Sequence, residues 1–343
     1  MRRSPSPRLP TAAFWLSSQS PTPQSAPDES SMPTDRGSLH PPLVLALGGF
    51  DGVHLGHQQI IRRCRELARS RNALTGVLTF DPLPAQLVYP DFTYILTPPA
   101  EKATLLTELG VEIIHTVTFT EEVRNSTPEQ FVRDHIVAPL HPLVVVAGYD
   151  HRFGVKGCGD VALLGRLLAD LNIELEVVPE FVHLDAPVRS TRIREQLLLG
   201  HVALAAELLG RPYALGGSVI PGTATGRKLG FPTINIQPGE PEKLVPADGV
   251  YIVLVDIDDR RYPAVLNIGH RPTFNGDRRT IEAHILDLKE RVKCHRATLH
   301  FLDRLRPERR FADPAGLANQ IRADIENARR LLRNLDIQSE SPV

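Results

Sequence analysis

Residues 43–57 read Leu-Val-Leu-Ala-Leu-Gly-Gly-Phe-Asp-Gly-Val-His-Leu-Gly-His, and this stretch decides the fold of the first half of the chain. The apolar run 43–47 predicts a short strand buried on both faces. The glycines after it permit a tight turn and a close backbone approach to a ligand. Next, HQQIIRRCRELA (57–68) sets Ile60, Ile61, Cys64, Leu67 and Ala68 on one helical stripe. A helix start offers unpaired N–H groups and a positive dipole end to an anion, and His54 and His57 can both face it. Fixed donors of this kind suit the charge that develops on a departing pyrophosphate. Composition alone yields about 0.03 H-x-G-H tetrads in such a chain, so its place between strand and helix carries information. A glycine turn with two surface or capping histidines is the plain alternative. A zinc site is disfavoured, because HExxH spacing and a nearby third ligand are both missing.

Working outward, TGVLTF (75–80), VEIIHTVT (111–118), PLVVVA (142–147) and IELEVV (173–178) are further short apolar or β-branched runs separated by helical patterns. Thr127-Pro128-Glu129-Gln130 reads as a capping box with proline at the first helical position. Together they predict an α/β, doubly wound parallel sheet whose ligands sit at the carboxyl ends of the strands. At those ends lie Phe80, with Pro82 and Pro84 fixing the exit loop, and Asp150 with Arg152. The Phe80 segment reads either as a flat wall for a ring ligand or as a turn over a core edge. Arg152 reads as a ligand contact or a surface ion pair. Ser190 and Thr191 read as a helix N-cap with Arg194 one turn in, and a plain capped helix remains open.

Residues 211–311 change character. Strand-like runs recur between Gly, Pro and Asp clusters: YALGGSVI, FPTINI, GVYIVLVDI, YPAVLNI, TIEAHILD and ATLHFLD. They predict a small antiparallel barrel. A closing helix over 314–335 carries Leu317, Ile321, Ile325, Ala328, Leu331 and Leu332 at helical spacing. The loop Gly222–Gly230 holds Gly222, Gly226, Arg227, Lys228 and Gly230. It reads as a phosphate loop or a flexible hairpin, but not as a Walker A motif. Thr233 and Asn235, two apart on a strand, point the same way; their neutral oxygens suit Mg²⁺ beside phosphates. On the 280–287 strand, Ile281, Ala283 and Ile285 share one face, and Glu282 and His284 the other. Glu282 reads as an acceptor for a hydroxyl proton or as a solvated surface carboxylate.

The length of 343 residues is a soft prior for two domains. Lys and Arg total 39 against 40 Asp and Glu, a net charge of −1, which argues against binding nucleic acid or an anionic membrane through bulk charge. The longest apolar runs, such as 43–47 and 143–147, fall short of the roughly 20 residues of a membrane span. Cys64, Cys158 and Cys294 are isolated, so neither a disulfide framework nor a thiolate zinc site is expected, and a reducing, cytoplasmic setting fits. Residues 1–40 hold nine Ser and seven Pro without apolar periodicity and are expected to be disordered. A tail or a start-site artefact, with Met32 the true start, is preferred there over a transit peptide.

The motifs together resemble the prokaryotic bifunctional riboflavin kinase/FAD synthetases. GGFDGVHLGH (48–57) resembles their GxFDGxHxGH form, with Gly49 where Asn is frequent. TFDPLP (79–84) resembles T-F-[ED]-P-H-P, with Leu83 in place of His. GYDHRFG (148–154) resembles G-x-D-x-x-F-G, and RSTRIR (189–194) resembles S-S-T-R-I-R with Arg189 in place of Ser. LGRPY (209–213) resembles the junction between the two domains. In the second half, G-x-x-x-G-R-x-L-G-F-P-T-x-N, NIGHRPTF (267–274) and E-x-H-x-L-D (282–287) resemble the flavokinase set, with Ile234 where Ala is frequent.

The resemblance covers about 41–335. It implies an FMN adenylyltransferase domain over 41–210 and a riboflavin kinase domain over 211–335, with 336–343 a tail. It implies an ATP site at Gly48, Phe50, Asp51, His54, His57, Asp150, Arg152, Ser190, Thr191 and Arg194. Flavin contacts are implied at Phe80, Pro82, Pro84 and Arg271. A second ATP site is implied at Gly222, Gly226, Arg227, Lys228, Gly230, Thr233 and Asn235, with Mg²⁺ on Thr233 and Asn235 and Glu282 as catalytic base. Substrates and products are riboflavin, FMN, FAD and ATP; no nucleic-acid or membrane partner is implied, and a homo-oligomer is left open. The rivals are a flavin-binding protein with dead sites and a nucleotidyltransferase for another acceptor.

Overall fold

The computed structural model describes residues 41–334 apart from 90, 93, 223–224, 274–275 and 289–293, with the backbone alone at 225, 228, 271–273 and 276–278. The expectations for 1–40 and 336–343 fall outside the described residues.

In the first half, β1 (Leu43–Leu47), α1 (Leu55–Ser70), β2 (Leu74–Asp81), α2 (Pro84–Val88), α3 (Pro99–Glu108) and β3 (Ile113–Thr118) follow one another. Next come α4 (Glu121–Asn125), α5 (Pro128–Phe131), a π-helical stretch Val132–Val137 and α6 (Ala138–Leu140). β4 (Val144–Gly148), α7 (Val161–Ala169) and β5 (Glu174–Val178) complete the layer. The five strands pair in parallel in the order β3-β2-β1-β4-β5. The chain thus winds one way from β1 and then back from β1 to β4, which opens a crevice beyond their carboxyl ends.

The uninterrupted apolar strands explain this layer. Leu43, Leu45 and Leu47 pack on one face with Phe131, Ile136, Leu164 and Leu168. Val44 and Ala46 pack on the other with Ile61, Cys64, Leu67 and Leu106. Both faces are therefore covered by helices, as a parallel sheet requires. The capping box is present: the Thr127 hydroxyl accepts from Gln130 N at 3.2 Å, and the Gln130 side chain accepts from Thr127 N at 2.8 Å.

A short hairpin, β6 (Val182–His183) with β7 (Ala186–Pro187), precedes α8 (Ser190–Leu199) and α9 (Val202–Leu209). Then come β8 (Tyr213–Ile220), α10 (Thr225–Lys228), β9 (Ile234–Pro238), β10 (Gly249–Ile257), β11 (Arg260–Thr273), β12 (Gly276–Ile285), β13 (Arg296–Arg306) and α11 (Pro314–Asn334). The strands close into an antiparallel barrel in the order β10-β11-β12-β9-β8-β13. The Phe301 ring meets Tyr251 edge-on at 5.4 Å and Tyr213 at 6.2 Å, and all three are buried. The closing helix packs as its spacing predicts: Ile325, Ala328 and Leu332 bury against Val250, Ile252 and Val265, with Ile321 and Leu331 alongside.

Contacts divide the described residues after Arg192, and those from Ile193 onward group with the barrel. α9 packs on β13 and β8. The loop before β10 also holds the end of α8, because Ala247 N donates to Leu197 O at 3.0 Å.

Candidate functional sites

The first site stands at the carboxyl ends of β1, β4 and β5, where a cavity of about 410 Å³ opens. The turn between β1 and α1 is its floor. Phe50 and Val53 hold positive φ (48° and 40°) and are buried, so the turn keeps two non-glycine residues in a strained backbone region. Its braces come from elsewhere. The Asp51 carboxylate accepts from Leu96 N and Thr97 N (both 2.9 Å), and Gly52 N donates to the Thr97 hydroxyl at 2.9 Å. Lys102, buried on α3, donates to Thr79 Oγ1 and Phe80 O at 3.0 Å and to Gly49 O at 3.4 Å. Burial pushes the Lys102 ammonium pKa down, and the charges of Asp51 and Asp81 oppose that shift.

On this floor His54 is the N-cap of α1, its Nδ1 accepting from His57 N at 3.3 Å. An accepting Nδ1 leaves the neutral ring's proton on Nε2. The rings of His54 and His57 stack at 3.6 Å and 16°, and Phe50 meets His57 edge-on at 5.2 Å. Gly56 leaves room beside the stack: a Cβ there would lie 3.3 Å from the His54 ring and 3.5 Å from Val188 O.

Of the expected ATP contacts, Gly48, His54, His57, Asp150, Arg152, Ser190 and Thr191 line this cavity. Phe50, Asp51 and Arg194 are not among its lining residues. Phe50 packs beneath the histidines, and the Asp51 carboxylate is engaged by backbone amides. The Ser190 hydroxyl donates to Asp51 O at 2.8 Å, which ties the start of α8 to the turn. Arg152 lines the cavity and approaches Asp160 at 3.8 Å, the ion pair that one of its sequence readings expects.

Phe80 is 8% exposed and packs against Phe119 (5.7 Å) and Phe131 (6.2 Å). Its ring therefore belongs to the core edge rather than to a ligand wall, because its neighbours in the β2–β3 and α5 layer already cover it. Pro82 and Pro84 shape the exit from β2 into α2, with Leu83 buried between them.

Sequence reading missed Lys102, Thr97, Tyr149 and Glu180. A lysine four residues before Leu106 on the buried stripe of α3 is the one local trace of the Lys102 role. His151, also on the cavity wall, has its Nε2 buried without a hydrogen-bond partner, and burial pushes its pKa down to about 4. Burial likewise pushes the Cys64 thiol up to about 12, so that sulfur stays protonated and inert.

The second site lies on the barrel. Glu282 on β12 is only 7% exposed, unlike a solvated surface carboxylate. It pairs in register with Asn235 on β9, and the Thr233 hydroxyl donates to Glu282 Oε2 at 3.4 Å. The glycine loop presses onto this group. A Cβ on Gly222 would fall 2.2 Å from Asn235 Nδ2, and one on Gly226 would fall 2.4 Å from Phe231 O and 3.4 Å from Thr233 Oγ1. Gly230 takes a positive φ of 88°, which favours glycine. Arg227 is exposed on α10. The side chains of Lys228 and Arg271 fall outside the described residues. His284 turns aside: its Nδ1 lies 2.8 Å from Pro232 O.

Thr hydroxyl, Asn carbonyl and Glu carboxylate make an all-oxygen donor set, held open where a glycine replaces any side chain. That chemistry fits Mg²⁺, which takes few protein oxygens and completes its shell with phosphate and water. Among the described residues no group of three or more His, Cys, Asp or Glu forms a metal cluster, and no helix is long and apolar enough to cross a membrane.

Comparison with known proteins separates the same two halves. The FAD synthetase family model matches residues 37–192 and the riboflavin kinase family model matches 209–332. The chain is 36% identical over 297 residues to the bifunctional riboflavin kinase/FMN adenylyltransferase of Listeria monocytogenes, covering 85% of this chain and 93% of that one. It is 34% identical over 288 residues to the protein of that description from Escherichia coli K12, covering 83% and 91%. A solved structure described as a macrolide-efflux protein from Streptococcus pneumoniae is 32% identical with a TM-score of 0.78, over 85% of this chain and 95% of that one.

Proposed function

This chain belongs to the family of bifunctional riboflavin kinase/FMN adenylyltransferases, and from that premise we propose how its residues divide the work. The protein phosphorylates riboflavin with ATP to give FMN, and adenylylates FMN with ATP to give FAD and pyrophosphate. Residues 41–210 carry the adenylyl transfer and 211–335 the kinase step. The observation that carries the division is the buried Glu282, hydrogen-bonded to Thr233 and opposite Asn235 beneath the glycine loop.

In the kinase half, Glu282 accepts the proton of the 5′-hydroxyl of riboflavin as that oxygen attacks the γ-phosphorus of ATP. The loop Gly222–Gly230, with Arg227 and Lys228, holds the phosphates against that oxygen. Thr233 and Asn235 would hold Mg²⁺, which would supply positive charge against the phosphates. Arg271, in the NIGHRPTF motif, is assigned to the flavin by the family resemblance.

In the sheet half, a phosphate oxygen of FMN attacks the α-phosphorus of ATP, and the bond to the pyrophosphate oxygen breaks. His54 and His57, fixed by stacking at the head of α1, stabilise that departing charge together with the helix start. Gly48, Asp150, Arg152, Ser190 and Thr191 frame the nucleotide, and Arg194 adds charge from α8. Phe50 and Asp51 act from beneath by fixing the turn. Pro82 and Pro84, at the exit from β2, form the flavin edge. Neither step requires a covalent enzyme intermediate; positioning and charge stabilisation carry both. Three free cysteines fit residence in a reducing cytoplasm.

Chromatography of riboflavin incubated with the purified protein and Mg-ATP tests the whole reading. FMN and then FAD are expected. Conversion of neither riboflavin nor added FMN by folded protein overturns it.

A further inference from the structure

Tyr149, Glu180 and Arg189 also line the sheet-half cavity, and the roles given so far use none of them. They come from three places, just after β4, just after β5 and just before α8. Arg189 Nη2 donates to Tyr149 Oη at 2.5 Å and to Glu180 Oε1 at 3.1 Å, and the Tyr149 hydroxyl donates to that same carboxylate oxygen. The Arg189 side chain is 52% exposed and that of Glu180 35%.

We propose that Arg189 is a substrate-binding residue of the adenylyl-transfer cavity, and that on ATP arrival its guanidinium exchanges the Glu180 carboxylate for triphosphate oxygens. The inference rests on the reading of that cavity as the adenylyl-transfer site.

Three features support the exchange. The pair is open to water, and exposed ion pairs contribute little, so release costs little. A triphosphate offers more charge and a bidentate partner for the planar guanidinium fork. Departure of Arg189 does not strand Glu180, because the Tyr149 hydroxyl still donates to it. Arg189 is also adjacent in the chain to Ser190 and Thr191, whose helix start on the same wall favours anions. Ser190 is pinned to Asp51 O, so the base from which Arg189 reaches is fixed.

The test measures FAD formation from FMN at varied ATP for the full chain and for Arg189→Gln, Arg189→Lys and Glu180→Gln, with His57→Ala and riboflavin phosphorylation run alongside. Arg189→Gln is expected to raise KM for ATP about tenfold, the loss of one charge-assisted hydrogen bond. Arg189→Lys should recover part of that loss. Glu180→Gln should lower KM for ATP about twofold, because the resting competitor is weakened. Riboflavin phosphorylation should be unchanged in the Arg189 and Glu180 variants. Opposite signs are the signature: a merely structural tie would make both substitutions harmful together, and that result overturns the proposal. So does an unchanged KM in Arg189→Gln when His57→Ala has abolished FAD formation. FAD formation that survives His57→Ala is a different failure, one that removes the reaction from this cavity and the inference with it.

Discussion

In the sheet half the two histidines and the turn that carries them sit close together in sequence, between Gly48 and His57, while Asp150, Arg152, Ser190 and Thr191 join the cavity wall from further along the chain. In the barrel half the chemistry-bearing residues come from β9 and the residue before it, β12 and the glycine loop around α10, and meet only when the barrel closes. The sheet site holds its histidines on a strained turn, with positive φ at Phe50 and Val53 and two imidazoles stacked at 3.6 Å, and braces that turn from Leu96, Thr97 and Lys102. The barrel site holds them by strand register, which sets Glu282 opposite Asn235. A parallel sheet delivers helix starts and strand ends to one edge and suits anion binding by backbone groups. A barrel delivers alternate side chains to one place and suits a buried carboxylate with oxygen partners.

Single substitutions should separate these two modes. The largest expected effect is Glu282→Gln, which should lower FMN formation about 10²–10⁴-fold, the range of a lost general base. FAD formation from supplied FMN should persist. FMN synthesis at normal rate in that variant would remove Glu282 from the chemistry. His57→Ala should do the reverse, lowering FAD formation about 10²–10³-fold, as loss of one fixed donor to a developing anion does elsewhere. Equal loss of both activities in either variant would mean that the two sites are not independent.

A third comparison concerns where the barrel half begins. α9 buries Val202, Ala205, Leu208 and Leu209, and it packs on β13 and β8. The guanidinium of Arg304 on β13 donates to Leu199 O at 3.0 Å, at the end of α8. Fragments 193–343 and 211–343 should both phosphorylate riboflavin. The shorter one should be less stable by about 2–4 kcal/mol, from the apolar area that α9 covers. Equal urea midpoints would show that α9 contributes nothing to the barrel. A folded but inactive longer fragment would show that the kinase site needs the sheet half.

Much of this was legible because the chain states it locally. The β1 run and the helix stripe behind it read correctly, as did the Thr127 capping box and the apolar face of α11, since each depends on neighbours within a few residues. Phe80 was open between ligand wall and core edge, and what decides it is packing against Phe119 and Phe131, distant in sequence. Asp51 stands in a nucleotide motif, yet its carboxylate is engaged by the amides of Leu96 and Thr97 from across the fold. Lys102 illustrates the limit most sharply. Nothing in a helix pattern says that a lysine turns inward, because its partners are a turn carbonyl, a strand carbonyl and a hydroxyl that only the fold assembles. Glu282 on strand alternation alone reads as solvated; the glycine loop laid over its neighbours Thr233 and Asn235 is what encloses the site.

The smallest expected effect concerns His151, a titrating group on the sheet-half cavity wall. Its Nε2 is buried without a partner, and its ring lies 5.9 Å from that of Phe153, a core residue. Burial lowers its folded pKa to about 4, against roughly 6.5 for an unfolded histidine. Below pH 6.5 the unfolded chain takes up this proton and the folded chain does not. Stability from the neutral ring is therefore complete above about pH 6.5 and is lost as pH falls toward about 4. By pH 5 the loss should reach about 1–2 kcal/mol, less than the full shift implies because part of the ring is exposed. His151→Phe keeps a flat ring beside Phe153 and removes the titration. Urea unfolding at pH 7 and pH 5 should then show a smaller pH-dependent drop in the variant than in the parent. Identical drops would mean that the imidazole is hydrated in the folded protein, and that the wall of this cavity is wetter than its packing against Phe153 indicates.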